Sequence, residues 1–102
     1  GNVIGPWIVT PDEIPDPRAL NVEVRVNGER RASATTAGMI HGFDDIIAYL
    51  SKNETLHPGE FIGGGTVGGC CGLEKDSWLK DGDVVEIEVE RIGVLRNRLV
   101  RG

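Results

Sequence analysis

Apolar and polar positions alternate along two stretches of this chain and fall at helical spacing along a third. Val22, Val24 and Val26 alternate with Glu23 and Arg25, the period of a strand with one buried face, and Asn27-Gly28 follows at once as a two-residue turn signal. A return strand over residues 29–33 completes the predicted hairpin. Near the C-terminus the same alternation recurs, with Val85, Ile87 and Val89 set against Glu86, Glu88 and Glu90. Ile92-Gly93 predicts the second turn and residues 94–100 the second return strand. Between the hairpins, Met39, Ile40, Phe43, Ile46, Ile47 and Leu50 share one helical face, with Asp44 and Asp45 at the end where the helix dipole favours acids. That helix is expected to end before Pro58-Gly59 and to lie across a sheet face.

The remaining punctuation is short-range. Gly5-Pro6-Trp7-Ile8-Val9-Thr10 reads as a brief strand, Thr10-Pro11-Asp12-Glu13 as a helix start that Pro15 and Pro17 cut off, and Leu79-Lys80-Asp81-Gly82-Asp83 as a turn into the last hairpin. The expected class is α+β, mostly β, with one amphipathic helix. A length of 102 residues permits one domain with a modest core, and only five per cent aromatic residues leaves the packing to valine, isoleucine and leucine.

Charge narrows the partners. A formal charge of -5 and dispersed basic residues argue against nucleic acid, which demands clustered Lys and Arg. No apolar run reaches the length of a membrane span, so no membrane partner is expected and a cytoplasmic setting is. The two cysteines, Cys70 and Cys71, are adjacent, which suits neither a C-x-x-C metal pair nor a structural disulfide, and two reduced thiols are expected.

The densest chemical signal is Phe61-Ile62-Gly63-Gly64-Gly65-Thr66-Val67-Gly68-Gly69-Cys70-Cys71-Gly72, six glycines around a single threonine. Such a loop can bring backbone N–H groups close to an anion, with the hydroxyl as one side-chain donor; a tight, bulged connection beside a strand is the plainer reading. His41 is either a base facing a site or a residue packed near the helix start. Arg96 and Arg98 share a strand face and either clamp an anion or oppose the acidic face of Glu86, Glu88 and Glu90; the cross-strand reading is preferred. Those glutamates have the alternation of any solvent-facing strand and are not read as metal ligands. Trp7 and Trp78 are read as packing residues.

Taken in order, Gly5 to Thr10, Asn27-Gly28, Met39-Ile40, Ile47-Ala48-Tyr49-Leu50-Ser51, Leu56-His57-Pro58-Gly59-Glu60-Phe61-Ile62, Gly65-Thr66, Leu79 to Val85 and Ile92-Gly93-Val94-Leu95-Arg96-Asn97-Arg98 resemble the C-terminal part of the fumarylacetoacetate hydrolase family catalytic domain. The resemblance implies part of a mixed β-roll, with residues 1–102 as a single partial domain. It implies an enzyme acting on small keto acids by C–C hydrolysis, decarboxylation or isomerisation, with Mg2+ or Mn2+ as cofactor and a homodimeric assembly. Gly65 and Thr66 correspond to the family's Gly-Thr pair and are expected to bind a substrate carboxylate. The family's metal ligands, a Glu-x-Glu pair and an aspartate, its catalytic lysine and its histidine element belong to the part of the domain that precedes Gly1. No catalytic or metal-binding residue is therefore assigned here, the remainder of the catalytic domain is the expected partner, and the isolated chain is expected to be inactive. Val67 to Gly72 depart from the usual loop of the family, where proline and fewer glycines are common. Two other classes stay open: a non-catalytic β module that binds an anion or a partner strand through the glycine loop, and a thiol or phosphate-loop enzyme, which lacks a Gly-Lys-Ser/Thr element.

Overall fold

Four strands form one sheet in a computed structural model that describes residues 2–102. β1 (Asn21–Val26) and β2 (Glu29–Thr35) make the first hairpin, β3 (Val84–Val89) and β4 (Gly93–Arg98) the second, and β1 pairs with β3 to give the order β2-β1-β3-β4. All three pairings are antiparallel. One α-helix, α1 (Phe43–Leu50), stands between the hairpins in sequence. The chain is thus α+β and mostly β, with β2 two residues longer than expected.

The first turn is as the sequence predicts, and it also joins the two hairpins. Asn27 (φ +52) and Gly28 (φ +79) both occupy the left-handed region that a two-residue hairpin turn requires. Asn27 Nδ2 donates to Asp83 Oδ1 at 2.8 Å, and Val84 N donates to Asn27 Oδ1 at 2.9 Å. The side chain of one turn therefore fixes the start of the strand two elements away. The second turn is wider than expected: Val89 pairs with Gly93, and the left-handed residues are Arg91 (φ +64) and Gly93 (φ +127).

Alternation divides the sheet into two faces. On one, Val22, Val24 and Val26 meet Val89, Ile87 and Val85 across β1 and β3, and Ala34 and Ala32 oppose Val22 and Val24 from β2. On the other, an ion-pair ladder crosses three strands. Arg25 donates to Glu86 at 2.9 Å through Nε and to Glu23 and Glu88 at 2.7 Å each through Nη1, and Arg96 of β4 also donates to Glu86. Arg96 thus bears out the cross-strand reading. Glu86 is only 8% exposed, so the expected row of solvated carboxylates is wrong at its first member, which is buried under two guanidinium groups. The hydrogen bonds from Arg25 and Arg96 lower the Glu86 carboxyl below its ordinary range, and the carboxylates of Glu86, Glu23 and Glu88 raise the Arg25 guanidinium in return.

Three expectations need correction. Gly5 to Thr10 does not pair as a strand and bends at Pro6; Trp7 anchors it by donating from Nε1 to the Ile92 carbonyl at 2.9 Å and by lying so close to Gly93 that a Cβ there would sit 2.8 Å from the indole ring. Pro11–Glu13 does form the curtailed helical turn. Met39 and Ile40 lie outside α1, before its N-terminal cap at Gly42, whose N–H donates to Asp45 Oδ2 at 2.9 Å. Finally, α1 does not lie on the sheet. It makes no substantial contact with any strand, and Phe43 and Ile47 are 39% and 49% exposed. A short helix can bury its apolar stripe only against what reaches it, and here that is the glycine loop.

The core is correspondingly thin. Leu20, Val22, Val26 and Ala32 are the buried apolar residues, and no large side chain is fully enclosed among the described residues.

Candidate functional site

The chain leaves α1 at Leu50 and enters the glycine loop with no regular structure until a short 3-10 helix at Gly72–Lys75. Gly64 passes directly over the helix: a Cβ built on it would stand 3.3 Å from Phe43 Cε1 and 3.6 Å from Ile46 Cδ1. The close approach that glycine permits is therefore used to seat the loop on the apolar stripe of α1. Gly65 follows with φ +96, a conformation that side chains strongly resist, and this reversal presents Thr66 on the exposed surface of the loop.

Beyond Thr66 the loop closes on itself. Cys70 N donates to the Val67 carbonyl at 3.1 Å across a turn whose third residue is Gly69 (φ +81). One carboxylate oxygen of Glu74, Oε2, accepts from Gly69 N at 3.0 Å and from Cys71 N at 3.1 Å. The sequence reading, that this backbone turns its N–H groups toward an anion, is thus met from within for the second half of the loop. Glu74 was missed; its place three residues after Cys71 is the spacing by which a carboxylate caps a helical turn. The same turn is tied to the sheet, since Lys75 Nζ donates to the Arg31 carbonyl of β2 at 3.0 Å.

Loop and sheet border an open concavity of about 830 Å³. Its floor is the valine and isoleucine face of β1 and β3, and its rim includes Thr66, Val67, Cys70, Cys71 and Trp78. Cys70 and Cys71 are free thiols, both partly buried, as expected. Neither histidine lines this space; His41 borders a separate surface depression beside Asp45 and Tyr49. His41 as a base at the Thr66 loop is therefore not supported. Arg96, engaged by Glu86 on the opposite face, is not an anion clamp here. Among the described residues no group of three or more His, Cys, Asp or Glu side chains is placed to hold a metal ion, and no helix is long and apolar enough to cross a membrane. Chemically the arrangement offers one exposed hydroxyl at the edge of an apolar chamber, followed by a turn whose Gly69, Cys70 and Cys71 amides are already engaged.

Comparison with known proteins matches residues 1–100 to the family described as fumarylacetoacetate (FAA) hydrolase C-terminal. A curated relative, the 2,4-didehydro-3-deoxy-L-rhamnonate hydrolase of Sphingomonas sp. strain SKA58, is 39% identical over 98 residues, covering 94% of this chain and 34% of its own length. Maleylpyruvate hydrolase from Sphingobium sp. SYK-6, solved in complex with manganese(II) and pyruvate, superposes with a TM-score of 0.82 at 33% identity over 96% of this chain and 35% of its own. The 5-carboxymethyl-2-hydroxymuconate delta-isomerase of Mycobacterium smegmatis gives 0.77 at 37% identity, over 96% and 36%. The chain spans about a third of the length of the relatives it matches.

Proposed function

The chain belongs to the fumarylacetoacetate hydrolase family, and from that premise we propose that it is the carboxylate-binding portion of an enzyme acting on short keto acids. Residues 1–102 form one part of a larger catalytic domain, and Gly65 and Thr66 bind the substrate. The observation that carries this reading is Thr66, set after the left-handed Gly65 and exposed at the rim of the apolar chamber. Its hydroxyl donates to a substrate carboxylate, a charge-assisted hydrogen bond, while the valine and isoleucine floor receives the adjoining carbons. The rest of the substrate then extends toward the part of the domain that this chain does not supply. A divalent ion, Mg2+ or Mn2+, takes its ligands from that part as well, so the isolated chain is inactive. The same reading carries with it a cytoplasmic homodimer. Cleavage, decarboxylation or isomerisation is decided by groups outside residues 1–102.

Kinetics of the full-length protein that contains this chain test the proposal. Thr66→Ala removes one hydrogen bond to a charged group, worth about 1.5–3 kcal/mol, so kcat/KM for a keto-acid substrate is expected to fall roughly tenfold to a hundredfold with the melting temperature nearly unchanged. Full activity in that variant, or a loss explained by unfolding alone, contradicts it.

A further inference from the structure

A loop containing six glycines in twelve residues, with no strand or helix from Phe61 to Cys71, has a large conformational entropy to lose before Thr66 can hold one position. The only side chain that accepts from its amides is Glu74, whose Oε2 takes both the Gly69 and the Cys71 N–H among the described residues. The turn so fixed begins at Val67, the residue after Thr66. At its other end the clamp is referenced to the sheet, because Lys75, next to Glu74, donates to the Arg31 carbonyl at 3.0 Å, and Ser77 N closes the 3-10 helix on the Gly72 carbonyl at 2.9 Å. A continuous path therefore runs from β2 through Lys75 and Glu74 to the backbone beside Thr66.

We infer that Glu74 is a positioning residue for the Thr66 contact: its carboxylate orders the glycine loop so that the Thr66 hydroxyl meets a keto-acid carboxylate without first being ordered by it. This rests on the carboxylate reading of Thr66. Glu74 itself does not touch substrate. Because its two hydrogen bonds are exposed, the effect is one of loop population, and water competes for both amides.

The test uses the full-length protein, with pyruvate as probe in the presence of Mn2+, and reads two quantities: pyruvate affinity by calorimetry, and amide exchange over residues 67–72 by mass spectrometry. In Glu74→Ala the loop amides are expected to exchange faster and the pyruvate Kd to rise about threefold to tenfold. Glu74→Gln keeps an oxygen acceptor and is expected to restore most of both. A residue acting through Thr66 adds little once Thr66 is gone, so Glu74→Ala placed on Thr66→Ala is expected to weaken binding by less than twofold further. If Glu74→Ala does not fold, Glu74→Asp, which draws the oxygen back by one methylene, is read in its place with the same expectations. Pyruvate binding unchanged in Glu74→Ala while Thr66→Ala weakens it overturns the clamp alone; additive losses in the double variant, or Glu74→Gln as impaired as Glu74→Ala, do the same. A wild-type protein that binds no pyruvate, or a Thr66→Ala protein that binds it normally, overturns the carboxylate reading beneath it.

Discussion

Glu86 carries the clearest electrostatic consequence at the residue scale. Two guanidinium groups hydrogen-bond its buried carboxylate, so its folded pKa lies below the ordinary 4.5. A lowered folded pKa means that the ion pairs stabilise fully above the unfolded value and that this contribution is lost as pH falls through the folded one. Glu86→Gln is therefore expected to melt below the wild type at pH 7, with the gap closing as pH drops below about 4.5. Thermal melts of the chain between pH 7 and pH 3 check this, and a gap that is constant across the range contradicts it. The alternation of Glu86, Glu88 and Glu90 was legible in the sequence, but the partner was not. Arg25 meets Glu86 only because β1 pairs with β3 across 61 positions, a register that local periodicity does not encode. That Thr66 stands on an irregular loop was legible for the opposite reason, since its signal is the run of glycines immediately around it.

At the scale of elements, the strands were readable and the position of the helix was not. Both hairpins follow from period-two patterns and turn chemistry, whereas α1 announces only that it has an apolar stripe, not what covers it. The loop over Gly64 takes that place, and Ile47 remains half exposed. Ile47→Asp is accordingly expected to cost the chain less than about 1 kcal/mol in a denaturant melt, where a helix buried on the sheet would lose several. Asn27 is the more sensitive position. Asn27→Val forces a β-branched residue to φ +52 and removes both ties to the Asp83–Val84 backbone and side chain, so about 2–4 kcal/mol is expected from the same measurement. Asn27→Gly, which tolerates the turn but loses the ties, is expected to fall between.

As a whole molecule the chain is looser than a self-sufficient domain. Its radius of gyration is 15.2 Å, where about 13 Å is usual for 100 residues, and Trp78, Leu73 and Phe61 are 69–76% exposed. That looseness accords with a chain that spans about a third of the length of its relatives. The metal follows the same logic: titrating the isolated chain with Mn2+ or Mg2+ in a calorimeter is expected to give no stoichiometric site, because no cluster of ligands stands ready among the described residues. A micromolar one-to-one site in residues 1–102 contradicts that division of labour. The central claim, that this chain supplies the carboxylate contact, is tested most directly by a crystal structure of the full-length protein with Mn2+ and pyruvate. The account predicts a pyruvate carboxylate oxygen about 2.5–3.0 Å from Thr66 Oγ1, at the rim of the valine-floored chamber. Pyruvate bound with its carboxylate turned away from the Gly65-Thr66 loop contradicts it.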